Sequence, residues 1–312
     1  MKLIKYLFIV FFSSLIISSI ASRVMLKGLR KSSIDFFGKI NAARDKSNKI
    51  DIFLIGSSRM LVQADPKIID SVTGLRSYNY GLNAVSVKTC YNILQYAVIN
   101  HSNAKFAVFN IEYNMFDYLK DPYKDAFYYP FEEEIPSLIM TDTGVYKNIH
   151  KLKIFDIAMY DDRAKYAAVS GYIAPGKPSV GVYKGYNPSL IINYFEVPVA
   201  TELSVRNTIF LEKGFNMLYQ MIKLCKRNNI VPVFVIAPYR KKYAPEIFIK
   251  NYQEIILKVK ILAKNEAINF FDYTENPMKD RDIFFYNSSH LNQKGANIYS
   301  VLLGQDLKKL IP

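Results

Sequence analysis

The chain has 312 residues, half of them apolar and 14% aromatic, with 24 Tyr, 21 Phe and no Trp. That composition can bury a sizeable core and excludes a disordered polyelectrolyte. The formal net charge of +14 admits nucleic acid, an anionic membrane surface or an acidic polymer as partner. No helix-turn-helix, RNA-binding or zinc-finger pattern supports the first, so no nucleic-acid partner is expected.

Residues 1–22 read MKLIKYLFIVFFSSLIISSIAS. Lys2 and Lys5 precede an apolar run from Tyr6 to Ala21 that is interrupted only by serines. A membrane span needs about 17–25 such residues and a signal-peptide core about 7–15. The run is long for a signal core, so 1–22 is read as an uncleaved signal-anchor, a transmembrane helix held in the lipid bilayer. Ser19-Ile20-Ala21 is the alternative, a cleavage site. Either way the rest of the chain is exported, to the extracytoplasmic (periplasmic or outer) face of the cell membrane. Arg23, Lys27, Arg30 and Lys31 also flank the run, so charge bias does not fix its direction. Residues 23–49 read as an amphipathic connector.

From residue 50 to 312 the pattern is that of one α/β domain. Strands are expected at Ile50–Ile55, Arg76–Tyr80, Phe106–Ile111, Val231–Ile236 and Ile268–Phe271. Helices are expected at Pro66–Ser71, Val85–Asn100, 203–228, 245–264 and Asn292–Leu310. The apolar stripe Leu211, Phe215, Leu218, Ile222 and Cys225 marks the third of these. Alternating strands and helices predict a parallel sheet covered on both faces, a three-layer doubly wound (flavodoxin-like) fold with five strands. Residues 115–200 break the alternation. They are rich in Tyr, Pro and Gly, as in PYKDAFYYPFEEEIP and GYIAPGKPSVGVYKGYNP. They read as an inserted cap region, partly helical and partly hairpin-like, over the carboxyl edge of the sheet. Cys90 and Cys225 fall in helix-like segments and make no metal or redox motif. Two buried thiols are expected, with a disulfide between them as the alternative. No metal or cofactor is expected.

Acyl chemistry at a serine needs a hydroxyl, a base within hydrogen-bond reach and donors for the developing oxyanion. The strand ends offer these in order. Gly56-Ser57-Ser58 follows the first strand, Gly81 the second, Asn114 the third, and the run Asn287-Ser-Ser-His290 the fifth. His290 is one of three histidines. His101 follows a helix and His150 lies in the insertion, while His290 precedes a capped helix start on the same expected edge as Ser58.

These four blocks resemble the SGNH/GDSL hydrolase superfamily over about 50–114 and 231–310. The resembling pattern is Gly-Asp-Ser, a glycine in an Asn-x-Gly context, Gly-x-Asn-Asp and Asp-x-x-His. With Ser57 for aspartate and Arg59 following, the first block is similar to that of membrane-anchored members that O-acylate surface polymers. The resemblance implies that Ser58 is the nucleophile and His290 the general base. It implies an oxyanion hole from the Ser58 and Gly81 N–H groups and the Asn114 amide. It also implies a cell-envelope polysaccharide or glycolipid acceptor, and a membrane-bound O-acyltransferase partner supplying the acyl group. The expected activity is that of a serine esterase or O-acyltransferase; the alternative is a non-catalytic scaffold on the same fold.

Two departures bear on the chemistry. The third block reads Glu112-Tyr113-Asn114-Met115, with Asn110 as the alternative if the strand ends earlier. Asn287 stands where the pattern has aspartate. An amide can orient an imidazole but cannot stabilise imidazolium by charge, and in a serine protease Asp→Asn costs about 10⁴. That leaves a Ser–His dyad, a carboxylate from elsewhere (Glu112 or Asp272), or a weakened enzyme. Arg59 is read as a salt bridge to the sheet edge or, for an anionic substrate, a binding group. The cluster Arg240-Lys-Lys242 is read as a solvated run, with a face toward polymer or headgroups as the alternative.

Overall fold

The computed structural model describes residues 2–116, 125–131, 133–134, 156–177, 182–189, 191, 208–240 and 246–311. In chain order its elements begin with α1 (Lys2–Leu29), α2 (Asp35–Arg44), β1 (Ile52–Gly56), α3 (Ser58–Gln63), α4 (Pro66–Thr73), β2 (Ser77–Asn79), α5 (Val87–Asn100) and β3 (Phe106–Asn110). They continue with α6 (Asp156–Met159), α7 (Asp162–Ile173), α8 (Thr208–Arg227), β4 (Val231–Ile236), α9 (Glu246–Asn265), β5 (Asn269–Asp272) and α10 (Gln293–Lys308).

The chain divides into two compact units, one of 1–42 with 123–179 and the other of 43–122 with 180–312. In the first, the apolar N-terminal run is a single helix. Nothing breaks it before Gly28, so α1 runs past Ser22 and ends at Leu29. Its large side chains up to Val24 face outward, among them Leu3, Phe8, Phe11 and Ile17. With a mean hydropathy of 2.1, it is long and apolar enough to cross a membrane, as an anchor or as a signal sequence. Its last turns are buried against α7, with Met25, Leu26 and Leu29 inside. An aromatic cluster fills the rest of this small core. Phe37 stacks on Phe127 at 5.2 Å, and Phe36 meets Tyr128 edge-on at 5.0 Å. Edge and offset contacts of this kind suit the ring quadrupoles.

The second unit holds the sheet. Its five strands are all parallel, in the order β2-β1-β3-β4-β5. β1 and β3 are buried along their whole length, the continuous apolar signature of strands covered on both faces. Side chains alternate between two cores. Ile52, Leu54, Val108, Val233 and Val235 join Leu291, Tyr299 and Leu303 from the C-terminal segment. On the other side Phe53 meets Tyr80, and Phe109 meets Phe234 edge-on; there α5 packs with α8. The strand boundaries follow the sequence expectation to within two residues, and β4 matches it.

Local signals set the helix ends. Asp65 caps α4 by accepting from Lys67 N, Pro66 occupies its first turn, and Gly74 ends it at φ 72°. That is the proline-start, glycine-stop asymmetry that orphan N–H groups and a left-handed cap produce. Ser86 caps α5 and Asn292 caps α10. Cys90 and Cys225 are buried and free, and burial pushes the Cys225 thiol up to about 12. The end of the expected insertion is hairpin-like: Tyr183 and Tyr186 pair antiparallel, and Lys184 O accepts from Asn79 N beside the β2 edge. Much of the rest of 115–200, including His150, lies outside the described residues.

Candidate active site

Strand order reverses between β1 and β3, and the crevice beyond their carboxyl ends is where open α/β sheets bind ligands. β1 ends at Gly56, a glycine because a Cβ there would press on Met60 and Asn110. Ser57 is extended, and Ser58 opens α3. The Ser58 N–H is thus among the first amides of a helix, which lack intrahelical acceptors.

On the same edge, the segment between β5 and α10 presents His290. Its Nε2 lies 2.8 Å from Ser58 Oγ, across 232 residues of sequence. Its Nδ1 lies 3.0 Å from Asn287 Oδ1 and 2.9 Å from Ser289 Oγ. Tyr286 stacks on the ring at 5.4 Å. The segment is tied down at several points: Gln63 Nε2 donates to Ser289 O, Arg240 N to Ser288 O, and Tyr286 N to His290 O.

The orientation of Asn287 is decided by its backbone neighbours. Ser289 N and His290 N both donate to Oδ1, at 3.0 and 2.8 Å. An amide NH₂ could not accept these bonds, so the oxygen must face the imidazole. Nδ1 then carries the proton, and Nε2 is left to accept from Ser58. The wrong-tautomer penalty of an aspartate-to-asparagine exchange is therefore removed by local geometry. What stays lost is the negative charge. Burial, aided by the positive charge of Arg59, lowers the His290 pKa to about 4. The imidazole is neutral at pH 7, the state a general base requires.

Neither carboxylate considered from the sequence reaches His290. Asp272 Oδ1 accepts from Thr274 N and Oγ1, and its other oxygen faces Lys260 at 3.3 Å. Glu112 is buried beneath the serine turn. It accepts from Arg59 N, from the Asn110 amide at 3.0 Å and from the Ser57 side chain. Burial raises its pKa to about 7, against the opposing charge of Arg59. Glu112 thus braces the nucleophile turn rather than the base, a role that spacing alone did not reveal.

Two further expectations are corrected, those for Arg59 and Arg240. Arg59 binds no substrate group from this position: its side chain is 4% exposed and turned inward. It donates to Tyr252 Oη at 2.9 Å and to the carbonyls of Ala237 and Pro238. A guanidinium fills this place because the two carbonyls just past the end of β4 need donors. Asn114 is exposed on the 3₁₀ turn Tyr113–Phe116, because β3 ends at Asn110. The alternative, Asn110, holds the strand end, with Oδ1 accepting from Ala237 N at 3.1 Å and Nδ2 given to Glu112. Arg240 is not solvated: it is 5% exposed, and Nε donates to Asp282 at 2.6 Å.

Gly81 lies where expected, but its N–H donates to Asn79 Oδ1 at 2.8 Å. The Asn79 amide in turn donates to Met60 O and Ala64 O, holding the β2 end against α3. A Cβ on Gly81 would collide with the Leu61 backbone. The glycine is required by this close approach. Of the three expected oxyanion donors, the Ser58 N–H opens α3 at the nucleophile, the Gly81 N–H is engaged by Asn79, and Asn114 lies exposed on the 3₁₀ turn after β3. Ser289, Tyr286 and Gln63 were not singled out from the sequence; the first lies within the Asn287–His290 block and the second adjoins it.

No protein-family profile and no curated protein matches the chain. Among solved structures it is similar to a protein of Bacteroides fragilis assigned as an acylhydrolase, with 14% identity and a TM-score of 0.42 over 86% of this chain and 94% of that one. It is also similar to a GDSL-like lipase of Bacteroides thetaiotaomicron, again with 14% identity and a TM-score of 0.42, over 83% and 88% of the two chains.

Proposed function

We propose that the chain is a serine-dependent acyl-transferring enzyme of the SGNH type, an esterase or O-acyltransferase working through Ser58, His290 and Asn287. The observation that carries this reading is the hydrogen-bonded chain Ser58 Oγ–His290 Nε2, His290 Nδ1–Asn287 Oδ1. In the reaction Ser58 Oγ attacks the acyl carbonyl as its proton passes to His290 Nε2. The Ser58 N–H donates to the oxyanion of the tetrahedral intermediate. Collapse breaks the ester C–O bond, and His290 returns the proton to the leaving alkoxide. Water or an acceptor hydroxyl then attacks the acyl-Ser58 ester, with His290 again as base, and frees the serine.

The finer reading is that α1 anchors the protein, with the site on the extracytoplasmic side. The acceptor is then a hydroxyl of a cell-envelope polysaccharide or glycolipid, and a membrane-bound O-acyltransferase supplies the acyl group. The apolar α1 and the resemblance of the Gly56-Ser57-Ser58 block support it.

A fluorophosphonate probe tests the chemistry. Stoichiometric labelling that is abolished by Ser58→Ala is expected, with loss of esterase activity by about 10³-fold or more. Unchanged activity in Ser58→Ala would remove the mechanism. The second reading, a non-catalytic scaffold, is favoured by the neutral Asn287. It predicts no labelling of the wild type under any condition.

A further inference from the structure

The first unit carries an apolar stripe that its own core does not use. The inward face of α7 is built from Ala164, Ala167, Ala168 and Gly171, all buried. It sits on the last turns of α1 at backbone distance: a Cβ on Gly28 would strike the Ala168 carbonyl, and one on Gly171 the Gly28 carbonyl. Tyr172 Oη donates to Val24 O at 2.8 Å, and the Lys31 ammonium lies 5.4 Å from the Tyr172 ring. α7 is thereby fixed to α1 at the level of Val24.

The outward face of α7 changes character along its length. Asp162, Arg163 and Lys165 lie near its start. Tyr166, Val169 and Ile173 follow at i, i+3 and i+7, a single helical stripe, and are 66, 55 and 79% exposed. Tyr172, 45% exposed, borders them. On α1 the exposed apolar surface of Ile17, Ile20 and Val24 leads directly to the α7 contact.

Length fixes the level. From Tyr6 to Val24, α1 rises ~28 Å, close to the ~30 Å hydrocarbon thickness of a bilayer. Val24 therefore stands at a membrane–water boundary when α1 spans. Tyrosines are enriched at that boundary, where the ring is buried and the hydroxyl stays wet.

We propose that the Tyr166–Val169–Ile173 stripe of α7 lies in the headgroup region of the same bilayer, a second membrane contact that fixes the depth and tilt of α1. This inference rests on the anchor reading of α1.

The absence of Trp from the chain makes the test clean. The full-length Tyr166→Trp, Ile173→Trp and Phe12→Trp variants are each reconstituted into phosphatidylcholine–phosphatidylglycerol vesicles. The lipids are brominated either near the headgroup or near the chain ends. The expected result is quenching of Tyr166→Trp and Ile173→Trp chiefly by headgroup-proximal bromine, with blue-shifted emission. Phe12→Trp is quenched most by deep bromine. If Phe12→Trp is quenched but both stripe variants are not, the inference is overturned. Shielding of the stripe from acrylamide without bromine quenching also overturns it, because a protein surface then covers α7. If Phe12→Trp itself is unquenched, the anchor reading fails and takes this inference with it.

Discussion

Asn287 is the residue on which the chemistry turns. The amide oxygen is held toward His290 by two backbone N–H groups, so orientation is secured while the charge is missing. Asn287→Asp supplies that charge within the same bonds. An opposite charge at this distance raises a pKa by about 1–3 units. In the variant the acid limb of the pH–rate profile therefore moves up from its wild-type position, set by the His290 pKa of about 4. Its kcat at pH 7 rises by up to about 10- to 1,000-fold, each unit of imidazolium stabilisation being about 1.4 kcal/mol. An unchanged profile would mean that His290 is not the titrating base.

Glu112 makes a different prediction at the same scale. Its pKa is 4.5 ordinarily and about 7 in the fold, chiefly through burial. The folded state thus binds more protons than the unfolded state between these values. Its contribution to stability is full below pH 4.5 and is lost as pH rises through 7. Glu112→Gln removes this slope while keeping an acceptor for Arg59 N. Denaturant unfolding at pH 5 and pH 8 reads the difference: the wild type loses more stability between the two than the variant does.

At the scale of elements, the site depends on how closely the β2 end approaches α3. Gly81 meets the Leu61 backbone without room for a side chain, and Asn79 bridges the two elements. Gly81→Ala must push them apart. Overpacking of this kind costs about 1–3 kcal/mol, and here it also displaces the helix that begins with the nucleophile. A lower Tm together with a fall in kcat is expected. A fall in Tm with kcat intact would show that the β2–α3 contact is structural only. The sequence made both elements legible, since the apolar run to Gly56 and the Asn79-Tyr-Gly81 block are local patterns. It did not show that they touch, because that contact is made across the sheet edge.

For the whole molecule, α1 and the net charge of +14 lead to one expectation. The full chain stays with the membrane pellet after alkaline carbonate extraction, because α1 holds it by apolar burial rather than by charge. Release into the supernatant would point to a purely electrostatic association, which salt and high pH weaken.

The sequence by itself determined the alternation of strands and helices and the N-terminal apolar helix, and it pointed to Ser58 and His290. Period, turn chemistry and a short motif are properties of neighbouring residues, so they survive without a fold. Tertiary structure decided what the remaining polar groups do. β3 ends at Asn110, which leaves Asn114 on the exposed turn that follows. Arg59 turned inward to donate to Tyr252, a partner 193 residues away in the sequence. Glu112 went to the serine turn instead of the histidine. Polar partners at a sheet edge are chosen by desolvation and by which unpaired carbonyls and amides arrive there, and no spacing along the chain records that.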